Sequence, residues 1–311
     1  MDLFLIMLGA ALLYVGGEVL VKNATRLARA AGVSPLTVGL TVVAFCTSSP
    51  ELVTTLAAAL EGSPDTALGN VVGSNSANLG LVLGLTALLY PLRTRVRFLR
   101  REVPFMIGTG VLLLLLVGSG ILGRLSGALL LSLLGLYLLV LLRSGDHAEA
   151  EGEPAGEENE AGTVKTWRTL AGVALGIGLL VGGAHILIEG AVSLAHAFDV
   201  PERVIGLTLV AFGGRLPELA GSLVAAFKRE GDLILGNLIG SNVFNVLFVL
   251  GATAAVRPLA VSAEAFLPDL LVMLGLSLLV LLFLITGRRL GRREALILVG
   301  AYATYVVLLF G

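Results

Sequence analysis

Charged side chains are scarce in this chain: 14% of its 311 residues are Asp, Glu, Lys or Arg, while 56% are hydrophobic. A soluble domain carries about 25% charged residues, so a water-soluble fold of this length would lack the polar surface to cover itself. Net charge is −1, and no bulk field points to nucleic acid or to a strongly charged partner. Cysteine is nearly absent. Cys46 stands alone, which excludes an internal disulfide and leaves a small buried hydrophobe as its reading. An intramembrane enzyme would need a nucleophile with its base, or a metal held by histidine, and no such constellation occurs.

What the chain has in abundance is long apolar runs. A bilayer-crossing helix needs about 20 mostly apolar residues. Ten segments qualify, over roughly 3–25, 36–60, 66–90, 103–122, 125–142, 168–195, 203–227, 232–255, 265–286 and 294–310. The first is preceded by Asp2 rather than by basic residues and is long enough to span, so it reads as a retained helix and not a cleaved signal. One long polar stretch, 144–163, is acidic and has no apolar periodicity. It reads as a solvated linker, since it lacks the alternating Asp and Asn and the central glycine of an EF-hand. The expected organisation is a five-helix unit over 1–143, an acidic loop over 144–166 and a second five-helix unit over 167–311.

Basic residues cluster in connections on one side. With the N-terminus outside, inside connections hold 17 Lys and Arg, among them Arg93, Arg95, Arg97, Arg100 and Arg101, against three outside (Arg124, Arg203, Arg257). This places both termini outside and the acidic loop in the cytoplasm. The Arg93 to Arg101 cluster suits anionic lipid at the inner leaflet.

Residues 37–84 align with 204–251 at a constant offset of 167, without gaps and with 23 of 48 positions identical. GLTVVAF matches GLTLVAF, PEL matches PEL, and GNVVGSNSAN matches GNLIGSNVFN. Each half holds five predicted helices, an odd number, so the second copy enters the membrane in the opposite sense. The fold class expected is therefore an all-α membrane protein of about ten helices in two inverted-topology five-helix repeats, the plan of many secondary transporters. A duplication serving structure alone is the bland alternative.

Glu51 and Glu218 occupy equivalent positions inside predicted spans, each directly after a proline. An intramembrane carboxylate is costly and marks a functional site by default, although two acids hydrogen-bonded for packing remain the alternative. Pro50 and Pro217 cannot donate to the carbonyls four residues back, at Cys46 and Gly213, and open the helix there. Freed carbonyls at that depth must face protein or a wet cavity, where they serve as hard oxygen ligands; a simple kink is the plainer reading. Ser74 and Asn78 share a helix face, as do Ser241 and Asn245, and Thr47 shares a face with Glu51. Carboxylate, amide, hydroxyl and carbonyl oxygens without His or Cys suit sodium or calcium rather than zinc or copper. Gly69, Gly73, Gly236 and Gly240 have the small-xxx-small spacing of close helix packing.

With these residues in view, the chain resembles the cation/calcium antiporter superfamily, in particular its prokaryotic sodium/calcium exchangers. The resemblance covers essentially the whole chain, and its specific part is the pair of motifs G-T-S-x-P-E and G-N-x-x-G-S-N. It implies metal-binding roles for Thr47, Ser48, Glu51, Ser74 and Asn78 in the first copy and for Glu218, Ser241 and Asn245 in the second. It also implies a site occupied alternately by calcium and sodium, with two helices sliding across the remaining bundle, in a cell-membrane protein without cofactor and expected as a monomer. The sequence departs from the pattern in the second copy, which reads GGRLPE where the first reads CTSSPE. Gly214 and Arg215 replace the expected hydroxyl pair, and Asn245 stands where many relatives carry Asp.

Arg215 is never neutral and precedes Glu218 by three residues, so pairing with Glu218 is expected over snorkelling to an interface. Three readings of Arg215 follow: a tethered cation filling one sodium subsite, a shift of coupling toward protons with Glu51 titrating, or loss of ordinary calcium exchange. A relay through His185, His196, Glu18 and Glu189 can be drawn, although polar residues near helix ends are ordinarily interfacial. A passive cation channel is the competing transport class, but it normally builds its filter from rings of like residues.

Overall fold

A computed structural model describes residues 2–93, 96–143, 166–198, 213–287 and 289–310. Among them, eight helices are long and apolar enough to cross a membrane. In chain order the helices are α1 (Asp2–Ala31), α2 (Pro35–Leu60), α3 (Pro64–Leu89), α4 (Val96–Gly118), α5 (Arg124–Arg143), α6 (Thr166–Ala197), α7 (Leu216–Phe227), α8 (Gly231–Val256), α9 (Ala263–Gly287) and α10 (Arg292–Phe310). The apolar run 203–227 is described only from residue 213 onward, where it contains α7. The linker 144–165 and the repeat piece GLTLVAF lie outside the described residues.

Helix starts follow local chemistry. Ser34 accepts from the Thr37 amide and Pro35 opens α2, while Pro64 opens α3 directly after Ser63, as expected for a first-turn proline whose missing N–H costs nothing. α2 does not run straight, and α7 begins only after Arg215. The first helical stretch of α2 ends at Thr47, Ser48 sits at φ −81°, ψ −5°, and helix resumes at Ser49; Arg215 sits at φ −102°, ψ −3° just before α7. Pro50 and Pro217 therefore fall in the first turn of a new segment, as do Glu51 and Glu218. The amide-rich end of each segment favours negative charge there.

α3 and α8 form the centre. Of the apolar window of α8, 94% is buried, and 78% of that of α3, against 28% for α6. The outward faces of the peripheral helices instead carry exposed Phe4, Met7, Leu115, Trp167, Leu175, Leu282 and Val307. Apolar surface on that scale marks a lipid-facing boundary, and the protein is a multi-pass membrane protein.

Two short ribbons tie the halves together. β1 (Leu92–Arg93) pairs antiparallel with β4 (Arg289–Leu290), and β2 (Ile121–Leu122) with β3 (Leu259–Ala260). β1 precedes α4 and β4 follows α9, whereas β2 follows α4 and β3 precedes α9. α4 and α9 thus run side by side in opposite directions. An acid braces each peripheral pair: Tyr137 Oη donates to buried Glu102 at 2.7 Å between α5 and α4, and Tyr305 Oη to half-buried Asp269 at 2.8 Å between α10 and α9.

Glycine sets the closest helix approaches. A Cβ at Gly176 would lie 2.6 Å from the Leu20 amide nitrogen, and one at Gly9 2.6 Å from the Gly183 carbonyl, so α1 and α6 touch backbone to backbone. Gly236 and Gly240 pack in the same way on α2, against Leu36, Gly39, Leu40 and Ala44. Gly73 meets nothing within 4 Å and Gly69 only Phe266 among the described residues. By the offset of 167, their matching partner segment is 203–211, which lies outside the description.

Candidate cation site

The two breaks face a shared cavity of about 370 Å³, lined among others by Thr47, Pro50, Glu51, Asn70, His185, Arg215, Pro217 and Glu218. Glu51 and Glu218 are both buried, and both line this one cavity. The equivalent prolines and acids of the two copies are thus brought together.

Arg215 does not pair as its sequence spacing suggests. Its Nη1 donates to Glu51 Oε1 at 3.0 Å and its Nη2 to Ser74 Oγ at 2.6 Å. The three-residue rule holds within a continuous helix, but Arg215 stands at the break, ahead of the first turn of α7. From there its long side chain reaches across to α2 and α3.

Hydroxyls from the other side meet as well. Thr47 Oγ1 lies 3.0 Å from Ser241 Oγ and 3.2 Å from Asn237 Oδ1, so the first copy's break touches α8. Ser74 also donates to the Asn70 carbonyl.

Four asparagines knit α3 to α8. Asn78 Nδ2 donates to Asn242 Oδ1 at 3.1 Å, and Asn245 Nδ2 donates to Asn75 Oδ1 at 3.0 Å. These bonds fix both amides with their oxygens turned away from the network. Among the described residues, the buried atoms without a hydrogen-bond partner include Glu51 Oε2, Glu218 Oε2, Asn78 Oδ1, Asn245 Oδ1 and Ser48 Oγ. Buried polar atoms are paired as a rule, because an unmade bond costs about 1–3 kcal/mol. Four orphaned acceptors and a hydroxyl, on Glu51 and Ser48 of α2, Glu218 of α7, Asn78 of α3 and Asn245 of α8, are the chemistry of an oxygen-lined cation site.

Two features were not singled out in the sequence. Asn75 and Asn242 hold the network together, and their signal was present as identical letters in both copies of G-S-N. Wide π-helical turns begin at Asn78 and Asn245 (Asn78–Val82 and Asn245–Leu250), a device common at functional sites that has no sequence signature. Of the relay candidates, His185 lines the cavity, whereas Glu18 pairs with Lys228 Nζ at 2.7 Å. Cys46 is a partly buried free thiol packed against the core.

A family model described as "Sodium/calcium exchanger protein" matches residues 1–143 and 168–311. The chain belongs to the sodium/calcium exchanger family. It is 39% identical to the "Putative antiporter CaxA" of Alkalimonas amylolytica, over 98% of this chain and 97% of that protein. It is 31% identical to the "Sodium/calcium exchanger MaX1" of Methanosarcina acetivorans, over 99% and 98%. Among solved structures, the sodium-calcium exchanger NCX_Mj soaked with 10 mM sodium and no calcium superposes with a TM-score of 0.82 at 30% identity, covering 98% of both chains. The protein is accordingly a cation antiporter of the membrane, and not an enzyme.

Proposed function

We propose that this exchanger carries calcium, or another divalent cation, in exchange for sodium by alternating access at the Glu51–Glu218 site. The observation that carries the reading is the set of partnerless buried oxygens on Glu51, Glu218, Asn78, Asn245 and Ser48. Thr47, Ser74 and Ser241 complete the ligand set, and Pro50 and Pro217 hold the breaks that aim both acids at the cavity. The names of MaX1 and NCX_Mj, which identify sodium/calcium exchangers, support the choice of ions.

The site sits at mid-bilayer, where two inverted five-helix repeats (1–143 and 167–311) meet in a ten-helix, monomeric, cell-membrane protein. The opposite senses of α4 and α9, whose flanking ribbons pair start to end, support the inversion. Both termini lie outside, with the acidic loop over 144–166 in the cytoplasm, as the distribution of basic residues indicates.

The Arg215–Glu51 ion pair favours a second reading, in which protons replace sodium or the substrate differs from calcium. Flux into proteoliposomes decides between them: calcium, other divalent ions and sodium are offered against sodium, potassium and proton gradients in turn. Calcium uptake driven by an opposed sodium gradient is expected. Uptake that ignores every counter-ion gradient would instead point to a channel.

A further inference from the structure

We propose that the Arg215 guanidinium is a resident counter-cation, which occupies a cation position on Glu51 and Ser74 and replaces one monovalent coupling ion in each transport cycle. The proposal rests on the reading of this cavity as a cation site and names what sets its coupling.

The asymmetry between the copies carries it. In the first copy, Thr47 reaches Ser241 on α8 at 3.0 Å. The matching contact would join position 214 to Ser74 on α3, but Gly214 has no side chain with which to make it. Arg215 makes it instead, with Nη2 on Ser74 Oγ at 2.6 Å and Nη1 on Glu51 Oε1 at 3.0 Å. Its side chain is only 12% exposed and that of Glu51 9%, so the pair is removed from bulk water and the guanidinium stays charged. The second carboxyl oxygen of each acid remains without a partner among the described residues. Those oxygens are open to a divalent ion, whose double positive charge would repel the guanidinium and loosen it from Glu51.

Charge counting gives the consequence. Two ionised carboxylates need two monovalent ions for balance on the return leg, unless a fixed cation supplies one. Arg215 supplies one, and the exchange ratio falls by one coupling ion per divalent ion.

The ratio is measured on the full chain in proteoliposomes, as the gradient of the driving monovalent ion at which net calcium-45 flux stops. Arg215→Ser, and Gly214→Thr combined with Arg215→Ser, are expected to raise the ratio by one coupling ion. The Gly214→Thr change has room, since a Cβ at Gly214 meets nothing within 4 Å among the described residues. Calcium half-saturation is expected to fall on the order of tenfold as a charged hydrogen-bond competitor is removed. Arg215→Lys keeps the charge and is expected to keep the wild-type ratio. A ratio identical in wild type and both serine variants overturns the proposal, as does a raised ratio in Arg215→Lys. A further check reads the wild type directly: its nitrogen-15 guanidinium signal, assigned by its loss in Arg215→Lys, shifts with saturating calcium, and an unmoved signal overturns the proposal. Absence of any gradient-driven flux in wild type is a different result, which removes the exchanger reading itself.

Discussion

Asn75 and Asn242 donate their side-chain amides to each other's main-chain carbonyls, at 3.1 and 3.5 Å, across the junction of α3 and α8. Each also uses its Oδ1 to accept from the ligand-type asparagine of the opposite copy. The orientation of Asn78 is therefore set by the second copy and that of Asn245 by the first.

Removing either clamp should free the amide it orients. Asn75→Ala is expected to weaken cation binding about 10–100-fold, the usual effect of losing a residue that orients a ligand. Asn242→Ala should act likewise through Asn78. A binding isotherm on purified protein checks this, and unchanged affinity with intact fold would count against a positioning role.

Much of this was legible in the sequence, because two copies of one segment reveal which letters matter in both. Glu51 with Glu218, Pro50 with Pro217, and the Ser and Asn pairs were all read from identity at an offset of 167. Arg215 was read with the wrong partner. Helical spacing pointed it at Glu218, but it stands at a break where that spacing does not apply, and its contact with Glu51 spans 164 residues of chain. The π-helical turns at Asn78 and Asn245 were equally hidden, since no residue pattern marks a widened turn.

Glu51→Gln and Glu218→Gln should both abolish divalent transport but differ in stability. Glu51→Gln leaves Arg215 buried without its carboxylate, and breaking one partner of a buried pair costs about 3–5 kcal/mol. Among the described residues Glu218 forms no ion pair with Arg215, whose guanidinium sits on Glu51, so its amide variant should melt near or above wild type. Adding Arg215→Ser to Glu51→Gln should recover most of the lost stability. Melting temperatures in detergent measure all three, and additive losses in the double variant would contradict the coupling.

The glycine seam between α1 and α6 offers a test of packing with an internal control. A Cβ at Gly176 falls 2.6 Å from the Leu20 nitrogen, whereas one at Gly178 meets nothing within 4 Å among the described residues. Gly176→Val should therefore force the helices apart and destabilise by more than about 2 kcal/mol, as overpacking does. Gly178→Val, on the exposed face, should be nearly neutral. Thermal melts of the two variants side by side decide, and equal losses would mean the helices are not in backbone contact.

The prolines separate stability from activity. Pro50 and Pro217 lie in the first turns of resumed helices, so the breaks at Ser48 and Arg215 already spare them the clash of an interior proline. Replacing either with alanine restores an amide donor beside the break, which lets the first turn close onto the residues just before it and turns the acid away from the cavity. Pro50→Ala and Pro217→Ala should then melt at or above the wild-type temperature while losing most of their transport rate. A deficit in transport accompanied by a matching deficit in stability would mean the prolines act only as packing elements, because a merely destabilised protein loses both together.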